Sequence, residues 1–91
     1  MRTFDYTSQY RRDERLMRKQ GKDMAKLDVI LELLINGSKL PKELRDHALS
    51  GNMANSRELH IGSDWLLVYR LYENNSKITF ERTGSHSELF R

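Results

Sequence analysis

Eight consecutive residues, Trp65-Leu66-Leu67-Val68-Tyr69-Arg70-Leu71-Tyr72, constrain what this chain can become. A run this rich in apolar and aromatic side chains reads as a strand that is central in its sheet and covered on at least one side. Glu73-Asn74-Asn75-Ser76 follows, and Asn tolerates the left-handed backbone that a hairpin turn needs. Lys77–Arg82 is then the return strand, with Ile78, Phe80 and Arg82 expected on one face. Upstream, Ser56–Ile61 alternates: Arg57, Leu59 and Ile61 point one way, Glu58 and His60 the other. Gly62-Ser63-Asp64 is the turn between them. The result is a three-strand meander that needs a cover.

Helical stripes supply that cover. Arg2–Thr7 alternates as a short strand, with Phe4 and Tyr6 on one side. Ser8 is a candidate cap for a helix over about Gln9–Gln20, which Gly21 ends. A second helix over about Lys22–Ile35 carries Met24, Leu27, Leu31, Leu34 and Ile35 at spacings of three and four, and Asn36-Gly37 stops it. The two read as a helical hairpin. Residues 38–55 read mostly as loop, with a helical turn from Pro41 through Leu44 and a turn at Gly51-Asn52. Gly84 breaks the last strand, and Ser85–Phe90 is a candidate terminal strand. The layout is β-α-α-β-β-β with that optional fourth strand. It describes an α+β domain over residues 1–91, helices packed on one side of a small, mainly antiparallel sheet.

Composition excludes several classes. There is no Cys, hence no disulfide and no thiolate nucleophile or ligand. The apolar run Val29–Ile35, interrupted by Glu32, is too short to span a bilayer, and Met1–Tyr6 lacks the apolar segment of a signal peptide. A soluble, cytoplasmic protein without membrane contact is expected. Residues 1–26 hold eight Lys/Arg against four Asp/Glu, whereas residues 27–91 hold eight against nine. The basic excess, at Arg11, Arg12, Arg15, Arg18, Lys19, Lys22 and Lys26, is the footprint of a polyanion partner. A solvated helix face is the plain alternative.

The three histidines, His47, His60 and His86, fall in polar or turn-like segments and not in the apolar runs. In an up-down meander, the end of the first strand, the start of the second and the end of the third lie together. His60, Asp64, Arg82 and His86 therefore converge on one edge, and His47 can reach it from the connector. RNA cleavage needs a base for the 2′-hydroxyl proton, an acid for the departing 5′-oxygen and a cation for the phosphate oxygens. Two imidazoles, a carboxylate and an arginine supply all of these. The histidines show no His-x-His or His-x-x-x-His spacing, so neither metal nor cofactor is expected. Phe90 is either a last core plug or an exposed ring that stacks on a base.

Several segments together carry a family resemblance: Arg57-Glu58-Leu59-His60, Asp64-Trp65-Leu66-Leu67-Val68-Tyr69, and above all Arg82-Thr83-Gly84-Ser85-His86-Ser87-Glu88-Leu89-Phe90. With Lys22–Leu27 and Asp46–Gly51 they closely resemble the YafQ group of the RelE/ParE superfamily, toxins of bacterial type II toxin–antitoxin systems. The resemblance implies a RelE-like fold and an endoribonuclease that cuts translated mRNA on the ribosome. It also implies neutralisation by a cognate DinJ/RelB-like antitoxin, with a free toxin that is monomeric. Carried onto this chain, the family site falls on His47, His60, Asp64, Arg82, His86 and Phe90. Arg11, Arg12, Arg15, Arg18, Lys19 and Lys22 become docking candidates for ribosomal RNA or the antitoxin. The connector Asn52–Ser56 departs from the family by lacking aromatic residues, and Ala48 stands where Pro is common. The rival reading is a ParE-like toxin that poisons DNA gyrase without cutting RNA. That branch has no need of a histidine at the position of His86.

Overall fold

The computed structural model describes residues 1–90. Its elements run β1 (Thr3–Tyr6), α1 (Ser8–Lys19), α2 (Met24–Asn36), β2 (His47–Ala48), β3 (Arg57–Gly62), β4 (Trp65–Tyr72), β5 (Lys77–Gly84) and α3 (His86–Leu89), with 3-10 turns at Lys42–Leu44 and Gly51–Met53. The five strands form one sheet in the order β1-β5-β4-β3-β2. Only the β1–β5 pair is parallel. β4 is central, as its composition requires.

The caps account for the helix bounds. Thr7, not Ser8, caps α1: its Oγ1 accepts from the Tyr10 N–H at 2.9 Å. Asp23 caps α2 by accepting from the Lys26 N–H at 3.2 Å, so that helix opens at Met24 and not at Lys22. Gly37 closes it in the left-handed conformation, φ 68°. The α2 stripe buries Leu27, Ile30, Leu31 and Leu34, α1 buries Tyr10 and Met17, and both pack on Leu59, Ile61, Trp65, Leu67, Tyr69, Ile78 and Phe80 of the sheet. Leu66 and Val68, on the opposite face of β4, are likewise buried, so the strand is covered on both sides.

Three expectations are corrected. First, Arg82 does not share a face with Phe80. Tyr69 pairs with Phe80 but Val68 pairs with Arg82, which leaves Glu81 as an extra residue. This bulge turns Arg82 to the face opposite the helices. Second, Ser85–Phe90 is not a strand. Ser85 and Glu88 form a reciprocal capping box, and a single helical turn follows. Third, the connector holds a strand: β2 pairs antiparallel with β3, His47 opposite Glu58. Two residues carry no periodicity, so only the pairing defines it. No helix among the described residues is long and apolar enough to cross a membrane.

Candidate active site

Strand alternation sets which side chains face away from the helices. On β3 these are Glu58 and His60, as their alternation predicts. They pair with Val68 and Leu66 of β4, which in turn pair with Arg82 and Gly84 of β5. β2 adds His47 beside Glu58, and α3 adds His86 and Phe90 beyond Gly84. The four rings form a row: centroid separations are 6.0 Å from His47 to His60, 6.1 Å from His60 to His86 and 6.3 Å from His86 to Phe90. All three histidines read from the sequence are thus brought together.

Each ring is held differently. Asp64, in the β3–β4 turn, accepts on one oxygen from both the His86 backbone N–H at 3.1 Å and ring Nδ1 at 3.2 Å. A carboxylate only accepts, so Nδ1 carries the proton and Nε2 is left for chemistry. The same two donors hold the Asp64 carboxyl below the usual carboxylate range, the backbone N–H contributing most. His47 has both nitrogens engaged: Nδ1 lies 2.8 Å from the Arg45 carbonyl and Nε2 lies 3.0 Å from Glu58 Oε2. His60 Nδ1 is buried with no hydrogen-bond partner among the described residues. Phe90 is 39% exposed, at the open end of the row.

Arg82 is gripped along one edge. Its Nε donates to Asp13 Oδ2 at 2.7 Å and its Nη2 to Asp13 Oδ1 at 3.3 Å. The basic candidates all stay on the surface: Arg11, Arg12, Arg15, Arg18, Lys19 and Lys22 are exposed. At 3.6 residues per turn, those within α1 lie opposite the face that buries Tyr10, Asp13 and Met17.

Two residues of this region were not read as site residues from sequence. Glu58 is one. It is buried, with no partner on Oε1 among the described residues, and its place on the His60 face was the available signal. Glu58, His60 and His86 each bring a ligand atom within 4.8 Å of the others. A carboxylate and two imidazoles are a donor set suited to a transition metal. β3 supplies Glu58 and His60 and α3 supplies His86, so no local spacing announces it. Asp13 is the other, because its partner Arg82 lies 69 residues away.

Two helices on one face of a β1-β5-β4-β3-β2 sheet, with a polar, ring-lined site on the other, define a RelE-like domain. This chain belongs to the YafQ family, bacterial toxins of type II toxin–antitoxin systems, whose family model matches residues 2–91. It is 41% identical over 90 residues to the mRNA interferase toxin YafQ of Escherichia coli K12, covering 98% of this chain and 96% of that one. The YafQ chain in the crystal structure of the E. coli DinJ–YafQ complex superposes with a TM-score of 0.91 at 38% identity, both chains fully covered. A copper-bound L66S mutant toxin from Helicobacter pylori gives a TM-score of 0.91 at 31% identity, covering 99% of this chain and all of that one.

Proposed function

We propose that this chain is the toxin of a toxin–antitoxin pair, an endoribonuclease that cuts translated mRNA on the ribosome and is silenced by a DinJ-like antitoxin. The observation that carries this reading is His86 pinned by Asp64 through Nδ1, with no partner on Nε2 among the described residues and His60 next in the row. One imidazole removes the 2′-hydroxyl proton, and the freed oxygen attacks the adjacent phosphorus. The P–O5′ bond breaks as the other imidazole protonates the leaving oxygen, giving a 2′,3′-cyclic phosphate. Arg82 faces the same side and holds the non-bridging oxygens as charge builds. His60 is the better counterpart to His86, because both nitrogens of His47 already meet acceptors. Asp64 fixes the His86 tautomer, and Phe90 offers a face for a base.

The exposed basic stripe of α1 suits rRNA, which would bring the site to the message. Primer extension on a translated mRNA after induction tests the reading. Discrete cuts in codon register are expected, and replacing His86 with Ala should remove them without loss of folding or antitoxin binding. DNA breaks with intact mRNA, or full cleavage by the His86→Ala variant, would overturn it.

A further inference from the structure

β1 ends at Tyr6, but β5 continues to Gly84. Beyond Phe80 the outer edge of β5 therefore has no strand on it. Two side chains from the start of α1 and its cap take that strand's place. Thr7 Oγ1 donates to the Glu81 carbonyl at 2.9 Å, and Asp13 Oδ2 accepts from the Thr83 N–H at 3.1 Å. Thr7 does no more for β5 than tie this edge. Asp13 does more, since it also accepts from Arg82 Nε and Nη2, and from Gln9 Nε2 at 3.0 Å.

We propose that Asp13 is a positioning residue for the cleavage reaction, holding the Arg82 guanidinium so that its free fork faces the scissile phosphate. This rests on the reading of Arg82 as the phosphate-holding cation. A hydroxyl or amide would tie the strand edge at lower desolvation cost than a buried carboxylate, so the charge on Asp13 needs a second reason. The bulge at Glu81 puts Arg82 on the site face, where a long side chain without a partner would sample many rotamers. Asp13 takes the Nε–Nη2 edge. Nη1 has no partner among the described residues, so the Nη1–Nη2 end is open. That end matches two phosphate oxygens. A donor fixed before the reaction adds to the rate because it need not be reorganised during it.

The test is a cycle of Asp13→Asn, Arg82→Ala and the double variant in a ribosome-supplemented cleavage assay, with melting temperature and antitoxin affinity measured alongside. Asp13→Asn is expected to lower kcat by about ten- to a hundredfold with KM changed less than about twofold. In the Arg82→Ala background it should change kcat less than about twofold, since its only catalytic route is gone. Thr7→Val loosens the same strand edge without touching Arg82, and its kcat below its melting temperature should stay within about twofold of the parent. If Asp13→Asn does not fold, Asp13→Ser keeps an acceptor for the Thr83 N–H and gives the same comparison. Positioning by Asp13 is overturned by an equal loss in both backgrounds, by an equal loss in Thr7→Val, or by no loss at all. Full activity of Arg82→Ala alone would instead remove the role assigned to Arg82.

Discussion

Gly84 sits where β5 hands over to α3, and replacing it with Ala should disable the site by lifting α3. A Cβ built there would lie 3.0 Å from Glu88 Oε1, 3.2 Å from Leu89 Cδ2 and 3.5 Å from Glu88 Cβ. Glu88 cannot give way freely, because that oxygen accepts from the Ser85 N–H at 2.8 Å to close the capping box. Crowding of this kind costs about 1–3 kcal/mol, and a lost cap about 0.5–2 kcal/mol. A full reckoning of about 1.5–5 kcal/mol would lower the melting temperature by roughly 6 °C or more. A single-turn helix relieves strain locally before the sheet unfolds, so the observed fall should be smaller than that. Activity carries the larger signal. His86 and Phe90 both ride on α3 or its end, and a displacement of about 1 Å lowers the rate about a hundredfold. The assay pairs cleavage with amide exchange at Leu89 and Phe90, whose N–H groups bond the Ser85 and His86 carbonyls at 3.0 and 2.8 Å. Full cleavage by Gly84→Ala with both amides still protected would refute the reasoning.

Asp64 has its carboxyl pKa lowered by the His86 donors, so its hold on His86 is complete above the usual carboxylate range and is lost as pH falls through the lowered value. The His86 amide resonance should report a transition below about 3.9, and Asp64→Asn should lower kcat about ten- to a hundredfold; a transition at or above the ordinary value would contradict the geometry. Thr83 Oγ1 accepts from Trp65 Nε1 at 2.9 Å and donates to the Leu66 carbonyl at 2.8 Å, all buried. Thr83→Val strands two polar groups at about 1–3 kcal/mol each, and a calorimetric fall of roughly 8 °C or more is expected. Replacing Arg15 and Arg18 with Ala should weaken ribosome binding and flatten its logarithmic salt dependence by about 0.7–0.9 for each phosphate no longer neutralised. An unchanged slope would move docking to another surface.

Period-two alternation was enough to place Glu58 and His60 on one face and Leu59 on the other, because β3 keeps its pairing register through them and shifts only beyond His60. The same rule misplaces Arg82. One extra residue at Glu81 inverts everything after it, and nothing local in Lys77–Arg82 marks the bulge. The capping box at Ser85 and Glu88 was legible in principle, since a serine three residues before a glutamate is a helix start; the short polar tail hid it. Asp13 was not legible. On a helical wheel it shares the side of Tyr10 and Met17 and looks like a misplaced charge among core residues. Its partners, Arg82 and the Thr83 N–H, lie 69 and 70 residues on, and only the finished fold introduces them.

The parallel pairing of β1 with β5 has a consequence for how such a protein is made. Thr79 and Asp5, hydrogen-bonded across that pair, are 74 residues apart in the chain. Vectorial synthesis therefore delivers the first strand long before the one it must lie beside. Until β5 emerges, β1 has no neighbour, α1 lacks the strand edge that Thr7 and Asp13 tie, and the slow, long-range closure of the sheet cannot begin. His86 follows β5, so a ribosome translating this message finishes the sheet's last strand before it adds that ring. A chain interrupted earlier lacks both β5 and the whole of the His86–Phe90 end of the ring row.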